Sequence, residues 1–180
     1  MSQYLNVEDL RTQFKPTAIK LIIVGESRPN DPSRFFYNYE VQEHDSLYLE
    51  TMKSIHLKTT DVQGSLTEKF RADKQAYLKD FQRSGFYLMD VVPEKIEKKP
   101  DRKKKVRLFA TSFIDRLEKL KGLDKNKTRI LLMSRHVFDN LLEPLVRHGF
   151  NVSKEMLPFG GNGQQPKFRH ILREELGKLP

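Results

Sequence analysis

The chain of 180 residues contains no cysteine. Disulfides, thiolate metal sites, cysteine-ligated iron–sulfur clusters and cysteine nucleophiles are thereby excluded. That absence fits a reducing cytoplasm, the expected location. No apolar run is long enough to span a membrane as a helix. The first residues, Met1 to Asn6, lack a basic segment followed by an apolar one, so neither a secretory signal nor a membrane partner is expected. Several motifs are also missing. There is no GxxxxGK[ST] spacing, no GxGxxG after the first strand, no HExxH among the five histidines and no GxSxG elbow. Nucleoside triphosphate chemistry loses its usual loop. A triad of Ser27, His136 and Asp90 has no elbow to support it. Neither a cofactor nor a metal is expected.

Acidic residues are the scarcer charge, 24 Asp and Glu against 33 Lys and Arg, for a net +9. The excess is uneven. Lys95 to Lys105 holds seven cations (Lys95, Lys98, Lys99, Arg102, Lys103, Lys104 and Lys105) against Glu97 and Asp101, a net +5. A basic chain points to a polyanion, nucleic acid first. The alternative is a solvated lysine loop that serves solubility alone.

The most informative stretch is Leu21-Ile22-Ile23-Val24-Gly25-Glu26-Ser27-Arg28-Pro29. An apolar run reads as a strand buried on both faces, the central-strand pattern of a parallel sheet. In open α/β sheets ligands bind beyond the carboxyl ends of such strands, which is where Glu26 stands. Alternatively Glu26 caps a loop or pairs with Arg28 or Arg34.

Along the chain we expect a leading helix over Val7–Phe14, a strand over Ile19–Val24 and a loop over Gly25–Asn38. A helix over Ser46–Leu57 and a longer one over Leu66–Arg83 follow. A second strand lies within Gly85–Pro93 and contains Asp90. The basic loop occupies Lys95–Lys105, followed by a helix over Val106–Lys121. A third strand covers Arg129–Ser134, a helix Val137–His148, a short fourth strand part of Phe150–Leu157, and a last helix Phe168–Leu176. Strands alternating with helices predict an α/β chain of three layers, α/β/α, around a central, mostly parallel four-stranded sheet. We expect one domain over residues 1–180 and favour a monomer.

In such a sheet the strand ends deliver Glu26, Asp90 and the loop Pro158–Gln165 to one edge, with Ser134, Arg135 and His136 beside them. Gly160, Gly161 and Gly163 allow close backbone approach, and Asn162, Gln164 and Gln165 offer neutral donors and acceptors. Phe35 and Phe36 could stack a base or belong to the core. Being adjacent, one is expected buried and the other available.

Taken together these pieces resemble the uracil-DNA glycosylase superfamily over roughly Ile19 to Leu176. That family opens with a strand leading into a loop such as GEAPG or GQDPYH, and Gly25-Glu26-Ser27-Arg28-Pro29 stands there. Gly85-Phe86-Tyr87-Leu88-Met89-Asp90 resembles its next landmark, with Asp90 where a base-reading asparagine is common. Leu157 to Gln164 stands where a late loop of the HPSP or NPSG kind enters the DNA minor groove. The chain departs from the pattern in having no histidine in that loop, aspartate in place of the base-reading asparagine, and Arg28 displacing the proline of the first loop.

The resemblance implies a DNA-binding protein that hydrolyses the N-glycosidic bond of a flipped, damaged or deaminated base. Glu26 is then the catalytic carboxylate, and Gly25, Ser27, Phe35, Phe36, Asp90, Asn162 and Gln164 form the substrate site. Arg28, Lys103, Lys104, Lys105, Gly160 and Gly161 contact the nucleic acid. Two other readings stay open: a non-catalytic nucleic-acid-binding module of the same fold, and a small-molecule α/β protein with an incidental basic loop.

Overall fold

The computed structural model describes residues 7–40, 43, 45–56, 63–96 and 101–180. Four strands form one sheet, β1 (Leu21–Ser27), β2 (Phe86–Val92), β3 (Arg129–Leu132) and β4 (Asn151–Val152), in the order β2-β1-β3-β4. Every pairing is parallel. The apolar runs become the central strands, as their two-sided burial requires. β2 is buried along its whole length, and β1 from Leu21 to Gly25.

Around the sheet lie α1 (Val7–Gln13), α2 (Ser46–His56), α3 (Gln63–Ala72), α4 (Lys74–Arg83), α5 (Asp101–Glu118), α6 (Arg135–Arg147) and α7 (Gln165–Leu176). α5 and α6 pack on each other and on the sheet, while α4 packs on β2 and α7 on α2. The fold is a three-layer α/β/α arrangement. The chain leaves β1 for β2 on one side and later reaches β3 on the other. The topological switch point therefore lies between the carboxyl ends of β1 and β3.

Several boundaries differ from expectation. β1 runs on through Gly25, Glu26 and Ser27 because the ladder to β2 continues there, with Gly25 opposite Asp90 and Ser27 opposite Val92. The long helix expected over Leu66–Arg83 is two helices, α3 and α4, meeting at Asp73. The break turns Lys74 inward, where its Nζ lies 3.2 Å from the fully buried carboxylate of Asp45. The expected basic loop is a helix from Asp101 onward, with an acidic residue opening its first turn as the helix dipole favours. Lys103, Lys104 and Lys105 therefore stand on α5, and residues 97–100 of that stretch lie outside the described residues. β4 is only two residues long, yet the chain returns to β3 at Leu157, which bridges Met133.

The loop after β1 folds inward. Phe35, Phe36 and Tyr37 are all buried, which corrects the expectation that one phenylalanine would be available. Phe36 packs against the rings of Tyr37, Tyr48 and Phe81. The Tyr37 hydroxyl accepts from the Leu88 N–H at 2.7 Å and faces the Leu88 carbonyl at 3.2 Å. It thereby satisfies both outward backbone groups of a residue on the edge strand β2. Burial pushes the Tyr37 phenol well above its ordinary pKa, so the hydroxyl stays protonated and can donate. Arg116 of α5 covers the same strand further on by donating to the Asp90 and Val91 carbonyls.

Candidate functional site at the carboxyl edge of the sheet

A cleft of about 720 Å³ opens over the carboxyl ends of the strands. Its lining includes Glu26 and Ser27 from β1, Asp90 from β2, Ser134 after β3, Arg102 from α5, and Phe159, Gly161 and Asn162 from the late loop. A volume of this size is in the range that holds a small organic ligand.

Glu26 is held from two sides. The Ser134 hydroxyl donates to its Oε1 at 2.7 Å. Arg102 Nη1 lies 3.4 Å from Oε2. The Glu26 side chain is 13% exposed and that of Arg102 44%. The two partners anticipated for Glu26 are placed otherwise: Arg34 pairs with Asp31 at 3.7 Å, and Arg28 lines the cleft with its Nε buried and without a hydrogen-bond partner among the described residues.

Ser134 sits between β3 and α6 with φ 79° and ψ 155°, a backbone region that glycine enters freely and other residues rarely. Its N–H donates to the Leu157 carbonyl at 2.9 Å, which fastens the start of the late loop to the end of β3. Asn162 in that loop also has positive φ, 54°. Phe159 is 46% exposed at the mouth of the cleft.

Asp90 is almost wholly buried, and Arg11 of α1 reaches its Oδ2 with Nη2 at 2.6 Å. Arg11 is itself buried, bonds Glu8 Oε1 with Nη1 at 2.9 Å, and stacks its guanidinium over the Phe35 ring at 5.5 Å. Burial pushes the Asp90 carboxyl above its ordinary pKa. The Arg11 guanidinium opposes that rise, Glu8 adds to it, and Arg116 opposes it in turn. Gly25 lies directly across from Asp90. A Cβ on residue 25 would come within 2.6 Å of Asp90 Oδ1, so glycine leaves the room that carboxyl group occupies.

No family model, curated protein or solved structure matches this chain. The site is therefore read from its own chemistry. Of the residues singled out from the sequence, the cleft brings together Glu26, Ser27, Arg28, Phe35, Phe36, Asp90, Gly161 and Asn162. Gly25 lies beneath it. Gly160 is buried, with its Cβ position 3.3 Å from Glu50 Cβ. Gln164 is exposed outside the lining, and its neighbour Gln165 lines the cleft instead. Lys103 and Lys104 are exposed and Lys105 half-buried on the first turns of α5, outside the lining, to which that helix contributes Arg102.

Sequence reasoning misses Arg11, Arg102 and Met133 as site residues, and it puts Ser134 on this edge without a role. Only Ser134 has a signal, its position directly after a strand. Among the described residues no three His, Asp or Glu side chains are grouped to hold a metal ion. No helix is long and apolar enough to cross a membrane, again among the described residues.

The arrangement offers one tethered carboxylate in an open cleft, one buried carboxylate at its floor, and cations at its rim. A tethered carboxylate of this kind can orient a water molecule or balance positive charge that develops on a bound substrate. The Arg28 Nε is a buried donor without an acceptor among the described residues.

Proposed function

We propose that the protein binds DNA and hydrolyses the N-glycosidic bond of a nucleotide flipped out of the stack. The observation that carries this reading is the position of Glu26, tethered at the switch point in a cleft that Arg102 of α5 also lines. Flipping brings a base and its sugar into a pocket. There Glu26 positions a water for attack at the sugar carbon and stabilises the positive charge that grows on the ring as the base departs. Arg28, Lys103 and Lys104 meet the phosphates. The loop Leu157–Gln164, with Phe159 at its exposed tip, faces the groove from which the base leaves. The resemblance of this order of motifs to the uracil-DNA glycosylase superfamily supports the same reading.

Asp90 bears on the choice of base. Its Arg11 partner carries a permanent charge and is buried. Arg11 Nη2 lies 2.6 Å from Asp90 Oδ2, a charge-assisted contact that favours the carboxylate against the desolvation that raises its pKa, so Asp90 is read as ionised. Ionised, it only accepts hydrogen bonds. The base that suits it presents an amino group, as cytosine and adenine do, rather than the carbonyl and imide edge of uracil.

A second reading, a non-catalytic nucleic-acid-binding module, is favoured by the burial of Phe35 and Phe36 and by the engagement of Asp90 with Arg11. One experiment separates the two. Single- and double-stranded oligonucleotides carrying uracil, hypoxanthine, xanthine or normal bases are incubated with the protein, and abasic sites are cleaved with alkali. Strand scission that disappears with Glu26→Ala is expected, with the preferred base altered by Asp90→Asn. Salt-dependent DNA binding without scission would establish the module instead.

A further inference from the structure

The backbone of Ser134 poses a question that the strand-to-helix turn alone does not answer. At φ 79° and ψ 155° a glycine would be unstrained, and a side chain is held there against its preference. Three contacts could justify the serine. The first is its N–H bond to the Leu157 carbonyl, which any residue other than proline can make. The second is the helix cap, in which Oγ accepts from the Val137 N–H at 3.5 Å, the long limit of such a bond. Glycine is itself a tolerated N-cap. The third is the 2.7 Å bond to Glu26 Oε1, which only a hydroxyl supplies.

We propose that Ser134 is the positioning residue for Glu26, fixing Oε1 so that Oε2 is the oxygen offered to the cleft. The single hydroxyl proton of Ser134 is given to Oε1. Behind it the first N–H groups of α6 place the positive end of a 13-residue helix, which favours the negative charge in front. On the other side Arg102 is 44% exposed at 3.4 Å from Oε2, a contact that substrate can displace. Ser134 is the fixed anchor of the pair of contacts, and Arg102 the exchangeable one. This inference rests on Glu26 being the working carboxylate of the cleft.

The test compares Ser134→Gly and Ser134→Ala with the full-length wild-type protein. Both remove the hydroxyl, yet they act oppositely on the backbone, since glycine relieves the strain and alanine retains it. In single-turnover base release both are expected to lower the rate by about ten- to a hundredfold, with oligonucleotide Kd unchanged within about twofold. Their thermal midpoints should diverge, Ser134→Gly no lower than wild type and Ser134→Ala below it. A Ser134→Gly protein that keeps the wild-type rate, or rates that follow stability, overturns the proposal.

Should the wild type release no base, the glycosylase reading fails while the geometry stays testable. A double-mutant cycle of Ser134→Ala with Glu26→Ala in urea unfolding, in which each single change removes one end of the hydrogen bond, is then decisive. A coupling of about tenfold in the unfolding constant sustains the positioning contact, and independent effects overturn it.

Discussion

Arg11 and Asp90 lie side by side beneath the cleft, and the buried Asp90 carboxylate depends on the guanidinium beside it. Arg11 sits three residues after Glu8 in a short amphipathic helix, and in a linear reading it passes for half of a surface ion pair. Its second partner is 79 residues away, so nothing local announces it. Glu26, by contrast, ends an apolar run and needs no partner to be noticed. Replacing Arg11 with leucine strands the Asp90 carboxylate, and removing one partner of a buried pair costs about 3 kcal/mol or more. The pH dependence of that loss has a definite sign. Asp90 already titrates above its ordinary value of 3.8 in the fold, and loss of the guanidinium raises it further. The folded variant then holds a proton that the unfolded chain has released. Its stability falls as pH rises from the ordinary value through the raised one. Urea unfolding of Arg11→Leu should show a larger deficit near neutrality than at about pH 5. An equal deficit at both would remove Asp90 from the account.

Among the elements, the helices are readable where apolar spacing carries them and misread where charge does. α6 and α7 follow their stripes to within a few residues, as Leu141 and Leu145, or Phe168 and Leu172, turn inward. The run of lysines in α5 reads as loop because its composition is that of a solvated segment. Only the packing of Val106, Phe113 and Leu117 further along shows the face that the helix buries. The junction of α3 and α4 is set by Asp45 receiving both Lys74 and Arg71, a contact that crosses more than twenty residues. α5 also carries a prediction of its own. Lys103→Glu with Lys104→Glu should weaken oligonucleotide binding and flatten the dependence of log K on log salt by about 2, close to 0.9 for each phosphate no longer neutralised. The same reversal at Lys119 and Lys121, just past the other end of the helix, should leave the slope alone. Equal slopes in the two doubly substituted proteins would show that only net charge matters.

For the whole molecule, the alternation of strands and helices announces the layers, and parallel strands by themselves send all carboxyl ends to one edge. The address of the site is therefore legible in the sequence. Its internal wiring is not, because strand order and register decide that Gly25 meets Asp90 and that Ser134 meets Glu26. Both helical layers and the sheet share one continuous apolar core, from Val7 of α1 to Leu172 of α7. We accordingly expect a single cooperative unfolding transition. With six tyrosines and no tryptophan, tyrosine fluorescence reports tertiary packing and far-ultraviolet circular dichroism reports the helices. Their urea midpoints should coincide. Separate midpoints would divide the chain into independently melting parts.

The Tyr37 phenol that sits on Leu88 has a consequence for the company the protein keeps. An open border of a sheet is a template on which another chain can lay a strand, and growth by that route leads to filaments. Here the template is already read by the molecule itself: a single aromatic side chain takes both backbone groups of Leu88, and an arginine takes carbonyls further along. β4, at the opposite border, is too short to recruit a strand. Among the described residues one border is thus partly occupied and the other short, so further strands find little to pair with on either side of the sheet.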